Sequence, residues 1–169
     1  VKPLRAGSSF GISKVLSAQQ LPAALEAAFA YDDTALLEEC IPGFEVGCAL
    51  LGTHSLEAGR VDEIELADGF FDFKEKYTLE TASIHVPARI TPEQEAQVLQ
   101  AAKTVYRALD CHGFARVDLF CTPDGRVVFN EVNTIPGFTA HSRFPSMFQA
   151  AGLSFSQMIA EIIRQGVSA

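Results

Sequence analysis

The run ARVDLFCTPDGRVVFNEVNTIPG, from Ala115 to Gly137, constrains this chain more than any other. Two apolar-rich segments flank Thr122-Pro123-Asp124-Gly125, and Asp-Gly between alternating hydrophobics is the strongest short-range signal for a β-hairpin. A two-residue turn at Asp124-Gly125 sets Pro123 against Arg126 and Asp118 against Glu131. A four-residue loop sets Arg116 against Glu131 instead. Side chains alternate with period two along a strand, so both registers place Arg116, Asp118, Glu131 and Asn133 on one face. A three-residue loop would break that alignment.

The face carries three oxygen donors and one guanidinium. Asp118, Glu131 and Asn133 are hard oxygen ligands of the kind Mg²⁺ takes, with phosphates and waters completing its shell. Two facing carboxylates without a cation repel and perturb each other. The plainer alternative is a solvated hairpin face with a salt bridge to Arg116. The turn Asn133-Thr134-Ile135-Pro136-Gly137, placed directly after the carboxylates, tilts the reading towards a site.

Length and charge set the class. At 169 residues the chain is one domain or two small lobes, and 48% hydrophobic with 20% charged residues is the balance of a globular protein with a core. A formal net charge of −8 argues against general binding to nucleic acid or anionic membranes. No apolar run reaches the roughly 20 residues of a spanning helix, and no signal peptide is evident, so a cytoplasmic protein is expected. Cys40, Cys48, Cys111 and Cys121 lack CxxC spacing and sit among apolar neighbours, which reads as reduced, mostly buried thiols rather than a zinc site. The opening Val1-Lys2-Pro3, strand-like and without methionine, reads as the interior of a longer protein.

Taken in order, Arg5–Gly11 (RAGSSFG) is a small-residue loop between short extended runs. Its glycines allow close approach of backbone N–H groups to phosphate oxygens, and Ser8 and Ser9 add donors, with Lys2 within reach. The pattern is neither a P-loop nor GxGxxG, and an ordinary Gly/Ser loop would look the same. Ser17 and Gln20 have capping-box spacing and open a helix to about Tyr31, with Leu21, Leu25, Ala28 and Phe29 as its apolar stripe and Pro22 near its start. Ala35–Ile41 and Glu45–Leu51 read as strands around Pro42-Gly43. Glu38, Glu39 and Glu45 cluster there, either as a solvated acidic turn or with one of them accepting ribose hydroxyls.

Residues 62–83 mix aromatics and charges without a clear period. The stretch reads as a packed loop or as a lid, in which Lys76 and Tyr77 would touch phosphate and substrate. Thr91-Pro92-Glu93-Gln94 predicts a capped helix with Val98, Leu99, Ala102, Val105, Tyr106 and Leu109 inward. Arg143–Ala150 and Ser154–Gln165 predict two more helices separated by Gly152, the second with Phe155, Met158, Ile159, Ile162 and Ile163 as core.

In this order VKPLRAGSSFGISKV, LLEECIPGFEVGCALLG, FFDFKEKYTLET, ARVDLF and NEVNTIPGFTAHSRFP resemble the D-alanine–D-alanine ligase family of ATP-grasp enzymes, over essentially the whole chain. Within the family the FFDF-EKY loop and the GFTAHSRFP run are most similar to vancomycin-resistance D-alanine–D-serine ligases of the VanG and VanC type. The resemblance implies an α+β ATP-grasp fold, with antiparallel sheets and packed helices in two lobes, residues 1–48 and 49–169. The family's N-terminal substrate domain is missing, so the chain by itself is expected not to make a dipeptide.

The same resemblance implies the residue roles. Lys2 binds the ATP phosphates, and Ser8 and Ser9 lie in the loop over them, with Ser8 also held in the substrate site. Glu38 and Ile41 match the adenine pocket and Glu45 the ribose. Lys76 matches the lid contact to the γ-phosphate, and Tyr77 a position near the substrates. Asp118, Glu131 and Asn133 match ligands of Mg²⁺, or of Mn²⁺ in its place. Arg116 and the Gly137 N–H match the groups that stabilise the tetrahedral intermediate, and Ser142 a contact to the second substrate's carboxylate. Arg143, where many D-alanine-using relatives are apolar, is suited to a serine hydroxyl.

The implied reaction activates D-alanine as an acyl phosphate with ATP and joins it to D-serine for peptidoglycan precursors and vancomycin resistance, in a parent that is homodimeric. The competing readings are a housekeeping D-alanine–D-alanine ligase, another carboxylate–amine ligase, and a nucleotide- and metal-binding module without turnover.

Overall fold

The computed structural model describes residues 1–66, 82–139 and 141–167. The chain divides into two compact units, one of residues 1–41 and 66–83, the other of 42–65 and 84–169. Strand β3 (Phe44–Leu51) runs unbroken across the 48/49 division drawn from the sequence.

In the first unit a two-stranded antiparallel ribbon joins β1 (Lys2–Pro3) to β2 (Ala35–Leu36), with Lys2 opposite Leu36. Between them lie the small-residue loop, a 3₁₀ turn at Ala18–Gln20 and helix α1 (Leu21–Phe29). The capping box expected at Ser17 does not form. Ser17 makes no side-chain cap, and the Gln20 amide oxygen accepts the Leu16 N–H at 2.7 Å instead. The helix therefore starts one turn late, with Pro22 in its first turn, where a missing N–H costs nothing. Its covered face is Ala24 and Ala28, whereas Phe29 is half exposed. The expected strand over Ala35–Ile41 is only two residues long and pairs with β1 rather than turning at Pro42-Gly43 onto β3.

The second unit is built on β3. It pairs antiparallel with β4 (Glu57–Ala58), β5 (Asp62–Leu66) and β7 (Phe114–Cys121), and β7 pairs with β8 (Val127–Asn133). β6 (Ala82–His85) completes the order β6-β5-β3-β7-β8. Val46, Cys48 and Leu50 point to one face and meet Val98, Ala102 and Tyr106 of helix α2 (Pro92–Ala108). Ala49 and Leu51 point to the other and meet Phe144, Met147, Phe148 and Met158 of helices α3 (Arg143–Ala150) and α4 (Phe155–Val167). A strand covered on both faces is the physical reason Glu45–Leu51 is so apolar.

The Thr91 capping box is complete, and Ser154 with Gln157 forms the second one. The buried Tyr106 hydroxyl donates to the Gly52 carbonyl at 2.7 Å, so this large side chain is covered without an orphaned polar atom. Leu109 and Ile163, expected inward, are more than half exposed, and of the expected α4 core Met158 alone is fully buried. Cys48 and Cys121 are buried, Cys111 is partly covered and Cys40 is exposed, all as free thiols. Burial pushes the Cys48 thiol up to about 12. No helix among the described residues is long and apolar enough to cross a membrane.

Candidate functional site

The hairpin turn is the three-residue kind that would misalign the face. The Gly125 N–H donates to the Thr122 carbonyl at 2.9 Å, Gly125 is left-handed at φ 85°, and the Thr122 N–H donates to the Arg126 carbonyl at 3.0 Å. Pro123 and Asp124 are the turn's central residues, and Gly125 supplies the positive φ that closes such loops. Near the turn Cys121 therefore faces Val127 and Leu119 faces Phe129.

A second irregularity cancels the first. The register shifts between Leu119↔Phe129 and Asp118↔Glu131, which leaves Asn130 as the extra residue of a β-bulge. Beyond it Asp118 faces Glu131 and Arg116 faces Asn133. The loop length departs from both expected alternatives, while the pairing of Asp118 with Glu131 is the one the two-residue turn predicted.

On this face Arg116 grips Asp118 along the same strand, Nε to Oδ1 at 2.7 Å and Nη2 to Oδ2 at 2.8 Å. Asp118 is fully buried. Glu131 is exposed, and its side chain forms no hydrogen bond or ion pair with a described residue. The Asn133 amide oxygen accepts the Ile135 N–H at 3.2 Å and so shapes the turn that follows. Gly137 lies in that turn, where an added Cβ would stand 3.0 Å from Ser142 Oγ. Ser142 Oγ in turn accepts the Thr139 N–H at 3.0 Å at the head of α3.

Helix α3 delivers Arg143 into the sheet. Phe144 and Phe148 anchor it, with ring centroids 5.2 Å apart and Phe114 and Phe138 packed around Phe144. Burial of each such side chain contributes about 1.5–3 kcal/mol, enough to fix the helix end. Arg143 donates Nε to Asp62 Oδ2 at 2.7 Å and Nη2 to Asp62 Oδ1 at 2.8 Å. Its guanidinium also lies 3.5 Å from Glu45 and 3.5 Å from Asp118. Burial works against its charge, but Asp62 first, then Asp118 and Glu45, outweigh that and push its pKa up. Asp62 is fully buried and also accepts the Gly47 N–H at 2.8 Å.

Asp62 is the member of this cluster that reading the sequence missed. It opens an ordinary alternating strand, and its partner lies 81 residues later, so no local signal marks it.

The donor chemistry fits a divalent cation. Among Glu45, Asp62, Arg116, Asp118, Glu131 and Arg143, two guanidiniums face four carboxylates, an excess of two negative charges on one sheet face. The fit is in charge and donor type rather than in preassembly. Both Asp118 oxygens are turned to Arg116, and no group of three His, Cys, Asp or Glu among the described residues is poised as a metal cage.

In the first unit Lys2 Nζ pairs with Glu38 Oε1 at 2.7 Å, which brings the expected phosphate and adenine residues together. Ser8 and Ser9 are both left-handed, at φ 55° and 60°. Ile41 is the last residue of this unit's first segment. Lys76 and Tyr77 lie outside the described residues, as do residues 67–81 of the expected lid segment 62–83.

The chain matches known proteins over nearly its whole length. The family described as D-ala D-ala ligase C-terminus matches residues 1–164. Vancomycin C-type resistance protein VanC1 of Enterococcus gallinarum is 47% identical over 163 residues, covering 96% of this chain and 48% of the relative. A putative D-alanine–D-lactate ligase of Streptomyces coelicolor is 49% identical over 164 residues, covering 94% of this chain and 47% of its own. The crystal structure of VanG D-Ala:D-Ser ligase from Enterococcus faecalis matches with a TM-score of 0.90 and 60% identity, covering 97% of this chain and 48% of that one. The chain thus spans about half the length of the relatives it matches. The α+β architecture with antiparallel sheets is the ATP-grasp fold of these ligases. By both sequence and fold, the chain belongs to the D-alanine–D-alanine ligase family, as its C-terminal part.

Proposed function

We propose that this chain is the ATP- and metal-binding part of a carbon–nitrogen ligase that joins D-alanine to D-serine. The observation that carries the second substrate is the buried Arg143–Asp62 fork beside Ser142. In this reading Ser142 takes the carboxylate of the incoming amino acid, and Arg143, whose Nη1 stands 3.5 Å from Glu45, reaches a hydroxymethyl side chain directly or through a water. Asp62 holds Nε and Nη2, so the guanidinium cannot swing away from that position. A pocket built to hydrogen-bond a hydroxyl leaves a buried polar group unpaired when the hydroxyl is missing, and so discriminates against D-alanine. The likeness to the VanG D-Ala:D-Ser ligase supports the same reading.

The remaining residues act by holding and neutralising charge. Asp118, Glu131 and Asn133 would hold Mg²⁺, or Mn²⁺ in its place. That ion would screen the phosphates of ATP and act as a Lewis acid on the transferred group. Lys2 and the Ser8–Ser9 N–H groups bind phosphate oxygens. Arg116 and the Gly137 N–H face the oxyanion that develops when the amine attacks the activated carbonyl, where fixed donors are worth most. Lys76 and Tyr77 are assigned to the lid that excludes water from the activated carboxylate. Glu38, Ile41 and Glu45 are assigned to the nucleoside.

The test uses the full-length protein with ATP, Mg²⁺ and D-alanine, with and without D-serine. The expected product is the mixed dipeptide, and Arg143→Leu is expected to lower the D-serine to D-alanine ratio of kcat/KM by about tenfold or more, the scale of one buried charged hydrogen bond. Equal use of the two amino acids by the wild type, or an unchanged ratio in the variant, refutes the assignment.

A further inference from the structure

The segment Arg5–Gly11 is tied at both ends to the turn that follows α1. At its start the Arg5 N–H and Nε both donate to Asp32 Oδ2, at 2.8 and 3.1 Å, and Arg5 Nη2 donates to Asp32 Oδ1 at 2.7 Å and Asp33 Oδ1 at 2.6 Å. Asp32 Oδ1 also accepts the Thr34 N–H at 3.2 Å. The Asp32 side chain is only 4% exposed, whereas that of Arg5 is 67% exposed. At the far end the Phe10 ring stacks on Tyr31 with centroids 5.7 Å apart. Gly11, at φ 70°, approaches so closely that a Cβ would stand 2.7 Å from Tyr31 Cδ2 and 3.0 Å from the Ala27 carbonyl. Tyr31, Asp32 and Asp33 therefore hold both ends of one short loop.

Between those ends Ser8 and Ser9 are consecutive left-handed residues. Non-glycine residues avoid that conformation, and it persists only where the surroundings over-determine it. Successive N–H groups in such conformations form anion-binding concavities. An arginine at the mouth of a phosphate loop would ordinarily be read as a phosphate ligand. Here its fork is turned away, onto carboxylates.

We propose that Asp32 is a positioning residue for nucleotide binding, acting through Arg5 to hold Ser8 and Ser9 in their phosphate-binding conformation, and that Arg5 is a tether rather than a phosphate ligand. This rests on the reading of the Ser8–Ser9 loop as the phosphate loop. The fork is the operative feature. Lysine keeps the charge of Arg5 but cannot span both Asp32 oxygens.

The experiment is calorimetric titration of the full-length protein with ADP and Mg²⁺, with thermal melting and D-serine KM measured in parallel. Asp32→Asn and Arg5→Lys are each expected to weaken ADP affinity about 10- to 100-fold, the scale of a contact group displaced by about 1 Å. The D-serine KM stays within about twofold of the wild type in both, since Ser142 and Arg143, its assigned contacts, lie on another element. The double variant is expected to be no weaker than the worse single one, because both remove the same tether. A merely structural role would lower the melting temperature of Asp32→Asn and leave the affinity of the folded protein unchanged, which overturns the proposal. So does an Arg5→Lys protein of wild-type affinity alongside an Arg5→Met protein that loses it, because charge alone would then suffice. If Asp32→Asn does not fold, Arg5→Lys and Arg5→Met decide by themselves. Failure to use D-serine sinks the substrate assignment and leaves these titrations meaningful, whereas a wild-type protein that binds no ADP overturns the tether as well.

Discussion

Replacing Gly47 by alanine adds one methyl group, and the structure says where it lands. An ideal Cβ there stands 2.5 Å from Arg143 Nη2, 2.5 Å from Asp62 Oδ1 and 2.9 Å from Met147 Cε. Ordinary contact is about 3.5 Å, so the guanidinium and the carboxylate must each give way by about 1 Å. The Arg143–Asp62 bonds of 2.7 and 2.8 Å would stretch well beyond hydrogen-bond range. Overpacking a core costs about 1–3 kcal/mol, and removing one partner of a buried pair about 3–5 kcal/mol. Gly47→Ala moves both partners without removing either, so a cost of about 3 kcal/mol is expected, between those limits.

For a chain of 169 residues unfolding as a whole that corresponds to a fall in Tm of about 6–12 °C, read by circular dichroism on the full-length protein. The same methyl is expected to cost much less in an Asp62→Ala background, because the fork it disrupts is already gone. A Tm within about 1 °C of the wild type, or strict additivity with Asp62→Ala, would refute the picture of a closely packed fork.

Two further outcomes follow from other parts of the fold. Glu63 is held below its usual pKa of 4.5 first by the Arg89 side-chain hydrogen bond, with contacts of 2.6 and 3.3 Å. A lowered folded-state pKa means its stabilisation is complete above about pH 4.5 and is lost as pH falls through the lower, folded value. Glu63→Gln should flatten the fall of Tm over that acid range, and an unchanged profile would show that Glu63 is not linked to folding. Gly166 sits inside α4 with nothing within 4 Å of an added Cβ. Gly166→Ala is therefore expected to stabilise by up to about 0.5–1 kcal/mol, and a lower Tm would show that the end of this helix is not as drawn.

Local chemistry could be read from the residues alone. Thr91-Pro92 and Ser154 started their helices because their capping partners lie within four residues, although Ser17, with the same spacing, formed no cap. Asp-Gly announced the hairpin for the same reason, and the family resemblance rested on short contiguous runs. The alternation of Arg116 with Asp118 and of Glu131 with Asn133 was also legible, being a property of each strand alone.

Tertiary structure decided whatever joined distant residues. The turn at Gly125 had three residues, and only a compensating bulge at Asn130, which no local rule required, put Asp118 back opposite Glu131. Leu109 and Ile163 had the right spacing to be buried, but burial depends on what lies across from a helix face. The clearest case is Asp62. Its role exists because α3, anchored by the phenylalanine cluster, brings Arg143 down onto β5, and because Gly47 leaves room for the pair. A charge is expensive to bury unless its partner is already in place, and that partner is supplied by the fold, 81 residues away.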